Sequence, residues 1–159
     1  MHCLFLGETK MTDTNIIPFV GVGSFLLLSS YTTVKTQLKL TKCGYTTEVW
    51  PNKGCTPQVE WKIIHCDDHL NLFFAKDKLF KIYIDGEFPG KLPNGIYVGM
   101  PMKEATSIDT SLHFDDWNED WSSDEGYWLE DDLDTDSVLS ISVFIKELLD
   151  EDKFDKYQW

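Results

Sequence analysis

The sequence predicts an α+β fold, an antiparallel sheet with helices on one of its faces. Three observations predict it. Runs that alternate apolar and polar residues come in hairpin-spaced pairs. Apolar residues at helical spacing follow Ser30, and helix formers follow Pro101. The order of elements then recurs at an offset of about 72 residues, which suggests a tandem α-β-β-β repeat with halves near 16–88 and 93–159. At 159 residues the chain is most simply one α+β domain over 16–159, behind a flexible N-terminal extension over 1–15.

Ile16–Leu28 (IIPFVGVGSFLLL) is apolar, and its proline and glycines favour a turn or edge strand leading into a buried strand. Ser29 or Ser30 can cap a helix carried on by Tyr31, Val34 and Leu38, which Gly44 is expected to end. Tyr45–Trp50 is β-branched and aromatic, so it reads as a strand, and Pro51–Pro57 as a loop. Val59–Cys66 alternates as a strand and Asp67-Asp68-His69 turns the chain. Leu70–Ala75 and Leu79–Asp85 form a hairpin about Lys76–Lys78, with Phe80, Ile82 and Ile84 on one face. Gly86–Gly95 is a connecting loop.

Pro101–Ile108 opens the second half as a helix with proline in its first turn. Leu112–Phe114 starts a strand. Tyr127–Leu133 and Val138–Lys146 make a second hairpin, with Leu139, Ile141, Val143 and Ile145 on one face. Glu147–Tyr157 is a short helix or tail able to dock through Leu148, Leu149, Phe154 and Tyr157.

The net charge is −13, and it is unevenly placed. From Asp109 onward there are 17 acids and 3 lysines; the residues before it are close to neutral. A one-ended excess makes a directional field that steers a cationic partner. It argues against direct binding to nucleic acid or an anionic membrane. Cys3, Cys43, Cys55 and Cys66 form no CxxC pair, and no signal peptide or membrane span is legible. A reduced, cytoplasmic protein with free thiols is expected.

No P-loop, GxSxG or GxGxxG occurs, so no enzyme, no catalytic residue and no cofactor is expected. Asp132–Asp136 has the alternating acids of an EF-hand start. Ser137 stands at the glycine position, Val143 at the glutamate, and the following run reads as a strand. His65-Cys66-Asp67-Asp68-His69 has ligand chemistry, but the two histidines fall on opposite arms of a turn, so no metal is expected. The paired acids Asp115-Asp116 and Asp131-Asp132 read as a solvated face rather than an acid/base pair.

The distinctive stretch is Ile108–Val138, acidic throughout, without Lys or Arg, and threaded with aromatics. A disordered acidic tail would lack such rings. Its expected partner-binding residues are Asp115, Asp116, Trp117, Glu119, Asp120, Trp121, Asp124, Glu125, Trp128, Glu130, Asp131, Asp132, Asp134 and Asp136. For Trp117, Trp121 and Trp128, partner contact and core packing are balanced readings, whereas Trp50, Trp61, Phe73, Phe80 and Phe114 read as core.

The segment GIYVGMPMKEA at Gly95–Ala105 resembles the opening signature of the beta-lactamase-inhibitor-protein-like architecture. With Trp128–Leu149 (WLEDDLDTDSVLSISVFIKELL) and the overall acidity, the chain is similar to bacterial immunity proteins of contact-dependent growth inhibition. The resemblance implies a cognate toxin domain as partner, basic and nuclease-like, occluded by carboxylates in place of substrate phosphates. The alternative expectation is a non-enzymatic structural or assembly domain that holds another bacterial protein.

Overall fold

The computed structural model describes residues 13–51, 60–150 and 153–154. The expected extension up to residue 12, the loop over 52–57, the start of the strand at Val59, and most of the tail beyond 150 lie outside the described residues. The fold is α+β and antiparallel, as the alternation predicts.

Three two-residue strands, β1 (Ile16–Ile17), β2 (Gly21–Val22) and β3 (Phe25–Leu26), form a small sheet of their own. The expected turn or edge strand and buried strand are thus three short strands, joined by turns that hold Phe19 and Gly23 at positive φ, 63° and 56°. Gly21 lies so close to Phe25 that a Cβ would meet its carbonyl oxygen at 2.1 Å. Helix α1 (Tyr31–Thr41) follows, with the Ser30 hydroxyl accepting from the Thr33 amide as its cap. Its left-handed terminal residue is Lys42, φ 53°, and not Gly44. Gly44 serves close approach instead, since a Cβ there would strike the Asp67 carboxylate.

Strands β4 (Tyr45–Trp50), β5 (Trp61–Cys66), β6 (Leu70–Ala75) and β7 (Lys78–Asp85) meander in sequence. Helix α2 (Met102–Ile108) opens a second meander of β8 (His113–Asp115), β9 (Asp120–Ser122), β10 (Tyr127–Asp132) and β11 (Ser137–Phe144). Four strands therefore follow each helix, not three. The two meanders join into one eight-stranded sheet in the order β4-β5-β6-β7-β11-β10-β9-β8.

The joint is β7 against β11. Ile82 pairs Val143, Ile84 pairs Ile141, and Tyr83 faces Ser142 between them. The halves correspond in backbone detail. Leu28 donates to the Leu79 carbonyl and the Leu79 amide donates to Ser29; Gly99 donates to Val138 and the Val138 amide donates to Met100. Tyr31 and Met102, each the first residue of its helix, donate to Asp77 and Asp136, both at positive φ. Both last hairpins are also irregular at matching places, between Phe73 and Phe74 and between Glu130 and Asp131.

Three face assignments are corrected: Phe80 and Leu139 by those irregularities, and Ile145 because it lies past the end of β11 and joins the second cluster. The extra residue in each last strand is Phe80 or Leu139, so neither shares a face with its neighbours two residues on. Leu79, Ile82 and Ile84 face the main core with Val138, Ile141 and Val143. Phe80 instead joins Ala75, Ile145 and Phe154 in a second cluster, and Leu139 is exposed.

One face of the large sheet carries the main core. Val34 and Leu38 of α1, Met102 and Ala105 of α2, and Ile16, Val22 and Phe25 of the small sheet pack there together. The other face is covered in part by the C-terminal chain, through Ile145, Leu148 and Phe154. Lys146–Leu149 is a single short 3₁₀ turn within that stretch. No helix among the described residues is long and apolar enough to cross a membrane.

Candidate functional site

Antiparallel strands alternate direction, so every second connection lies at the same end of the sheet. The strand order places three connections at one end: Asp67–His69 between β5 and β6, Asp116–Glu119 between β8 and β9, and Leu133–Asp136 between β10 and β11. They bring Asp67, Asp68, Asp116, Glu119, Asp134 and Asp136 to one rim without a lysine or arginine among them. Two apolar side chains stand at the tips. Trp117 is 93% exposed and Leu133 is 87% exposed.

Local hydrogen bonds shape these tips. The Asp115 carboxylate accepts from the Trp117 and Asn118 backbone amides, which hold its pKa down and fix the loop that presents Trp117. Asp132 accepts in the same way from the Asp134 amide at 2.9 Å. Each connection ends on a non-glycine residue at positive φ: His69 at 67°, Glu119 at 56° and Asp136 at 52°. Beside the first connection, Thr14, Asp67, Asp68, His69, Glu87, Phe88 and Pro89 line a cleft of about 320 Å³.

The fourteen expected contact residues divide. Asp116, Trp117, Glu119, Asp134 and Asp136 sit on the acidic rim with Asp132 at its base. Asp124 and Glu125 occupy the β9–β10 connection at the opposite end, where Glu125 accepts from the Asn94 amide group at 3.0 Å. Asp115, Asp120, Trp128 and Glu130 share the outer face of the sheet by register, while Trp121 and Asp131 alternate to the core side. Trp121 is half-buried against Phe114 and the main core, and its indole N–H is buried without a partner among the described residues.

The outer face is aromatic toward the far end. Trp50 and Trp61 stack at 6.0 Å, Phe73 meets both edge-on, and Trp128 lies 4.0 Å from Phe144. Trp50 is nevertheless 46% exposed and Phe114 is exposed too, so neither is core as the sequence suggested. Lys81 lies between the Phe73 and Trp128 rings. Burial holds its pKa down against the pull of Glu130 and Asp120. Burial, then Asp115, raises the pKa of Asp120. On β4 to β6, the His65 Nδ1 lies 2.5 Å from Asn71 Oδ1 and its Nε2 2.9 Å from Glu48 Oε2, so that the ring donates to both only when protonated, and Trp50 donates to Glu48 at 2.6 Å. These contacts raise the pKa of His65 and lower that of Glu48.

Two features escaped sequence reasoning. Asp67, Asp68 and His69 are legible as a turn, but only the strand order puts that turn at the same end of the sheet as the acidic connections of the other half. Asp109 was counted with the acidic surface, yet it is buried and accepts from Ser111, Ser123 and Tyr127. No group of three or more His, Cys, Asp or Glu placed to hold a metal occurs among the described residues. Comparison with protein-family models, curated proteins and solved structures finds no match to this chain.

Proposed function

We propose that this chain is a protein inhibitor of the immunity kind, which binds a cationic toxin domain and covers its nucleic-acid-binding surface. The observation that carries the reading is the shared end of the three connections, which presents six carboxylates together with the exposed Trp117 and Leu133. Carboxylates held on hairpins are pre-positioned to meet lysines and arginines that would otherwise grip phosphates. Their field speeds encounter, and the indole supplies an anchor that slows release. The cleft beside Asp68 is large enough for one cationic side chain of the partner. The protein itself supplies no catalysis in this reading; it acts by occupying the partner's site.

The test is binding kinetics against a basic nuclease-type toxin domain, beginning with the product of the neighbouring reading frame. Association should slow steeply with added salt. Reversing the exposed acids Asp68, Asp116, Glu119 and Asp134 to Lys should slow it at least as far, while Trp117→Ala should raise the dissociation rate roughly tenfold or more. An association rate indifferent to both salt and charge reversal would remove the acidic rim from the mechanism.

A further inference from the structure

We propose that the outer edge of β4, unpaired among the described residues, pairs with the β4 of a second copy of this chain, antiparallel and centred on Thr47, to make a symmetric dimer. The Asp67 amide donates to the Gly44 carbonyl, and Gly44 lies opposite Asp67 in the β4–β5 register. Antiparallel pairs alternate, so Thr46, Glu48 and Trp50 turn their backbone groups inward to β5. Tyr45, Thr47 and Val49 turn theirs outward. Among the described residues no hydrogen bond reaches those outward groups, and Thr46–Trp50 are all exposed.

An unprotected edge of this length is unusual. The opposite edge of the same sheet, β8, is only three residues long. β4 has no proline and no lysine within it, and its single charge, Glu48, is already engaged by His65 and Trp50 on the outer face. Nothing on the strand itself repels a pairing chain.

The choice of a second copy rests on self-complementarity and charge. A two-fold axis through Thr47 sets Thr47 opposite its twin and Tyr45 opposite Val49, so all three outward residues of each copy pair at once. Thr46 then meets Glu48, and no like charges face each other. Registers centred on Thr46 or Val49 leave an outward residue of β4 facing chain beyond the strand, and one centred on Glu48 opposes two carboxylates. The charge distribution also permits the approach. Most of the acids belong to the half that ends at β8, seven strands and about 33 Å from β4, and the β4 half is close to neutral with Asp67 and Asp68 included. Two near-neutral halves meet, and the acidic halves point away from each other. An edge this narrow predicts a weak dimer that depends on concentration.

Sedimentation equilibrium of the full chain, from micromolar to near-millimolar concentration, should show mass rising from 18.4 kDa toward twice that. Thr47→Pro removes an outward amide and no bond to β5, so it should weaken the dimer roughly tenfold or more, while Thr47→Val leaves it intact. A register test does not depend on the proline variant folding. With Cys3 and Cys55 replaced by Ser, Thr47→Cys should cross-link to its twin under oxidised glutathione, and Val49→Cys should not. A chain that stays monomeric throughout and gives no Thr47→Cys cross-link overturns the proposal. So does a dimer unaffected by Thr47→Pro in a folded variant, and so does a monomer that accepts only an extended foreign peptide on β4.

Discussion

At the scale of single residues, two carboxylates in the second half respond to acid in opposite senses. Asp109 is buried, which alone would raise its pKa, but the hydroxyls of Ser111, Ser123 and Tyr127 outweigh burial and hold it below the ordinary value. Its stabilisation is present above the unfolded pKa of about 3.9 and is lost as pH falls through the lower folded value. Asp120 is shifted upward by burial and by Asp115, so its ionised form costs stability, and that cost is relieved as pH falls through its raised folded value. Chemical denaturation across pH should therefore show stability rising as neutral solution is acidified and then falling in stronger acid. Asp120→Asn should flatten the rise, and Asp109→Asn should lessen the fall. At neutral pH, Asp109→Ala should cost about 3 kcal/mol, because it strands three hydroxyls around an empty place. Trp121 gives the converse case. Its buried indole N–H has no partner among the described residues, so Trp121→Phe should cost under about 1 kcal/mol despite the smaller ring. Neither role was legible beforehand: one aspartate in an acidic run, or one tryptophan of three, carries no mark of what it will touch.

At the scale of elements, alternation and turn residues located both helices and most strands of the large sheet. What they missed has a common physical cause. Phe80 and Leu139 were assigned by strict period-two alternation, and a single extra residue in the strand defeats that rule from that point on. The ring of Trp50 suggests core, yet it lies on an edge strand with no neighbouring strand beyond it among the described residues. Irregularities and helix-start hydrogen bonds recur in both halves while residue identities differ, Leu28 standing at φ 71° where Gly99 stands at φ 97°. Left-handed residues also mark a trade. Glu119 is exposed at φ 56°, where glycine would be unstrained, so Glu119→Gly should raise stability by about 1 kcal/mol in denaturant titrations while slowing association with the partner. Gly99 is the matched control. A Cβ there would meet nothing within 4 Å, so the cost of Gly99→Ala, about 1–2 kcal/mol, would be backbone strain alone.

At the scale of the whole molecule, the charge asymmetry was plain in the sequence, but its geometry was not. The acidic stretch was one segment on paper; folding sends Asp124 and Glu125 to one end of the sheet and gathers Asp116, Glu119, Asp134 and Asp136 at the other. It also recruits Asp67 and Asp68 from the near-neutral half. That recruitment needs the β7–β11 pairing, which no local pattern encodes. Holding like charges together has a consequence that can be measured without any partner. The unfolded chain spreads its carboxylates apart, whereas the fold brings six of them to one rim, so self-repulsion weighs more on the folded state. Salt screens exposed charges over about 10 Å at 0.1 M, so the thermal midpoint should climb as sodium chloride is raised from low concentration toward molar. The Asp68, Asp116, Glu119 and Asp134 to Lys variant should be more stable than the parent in low salt and should lose most of that climb. A midpoint that ignores salt in the parent, or a reversed variant that keeps the full climb, would mean that the rim carboxylates lie too far apart to feel one another. They would then be too dispersed to act as one surface toward a cationic partner.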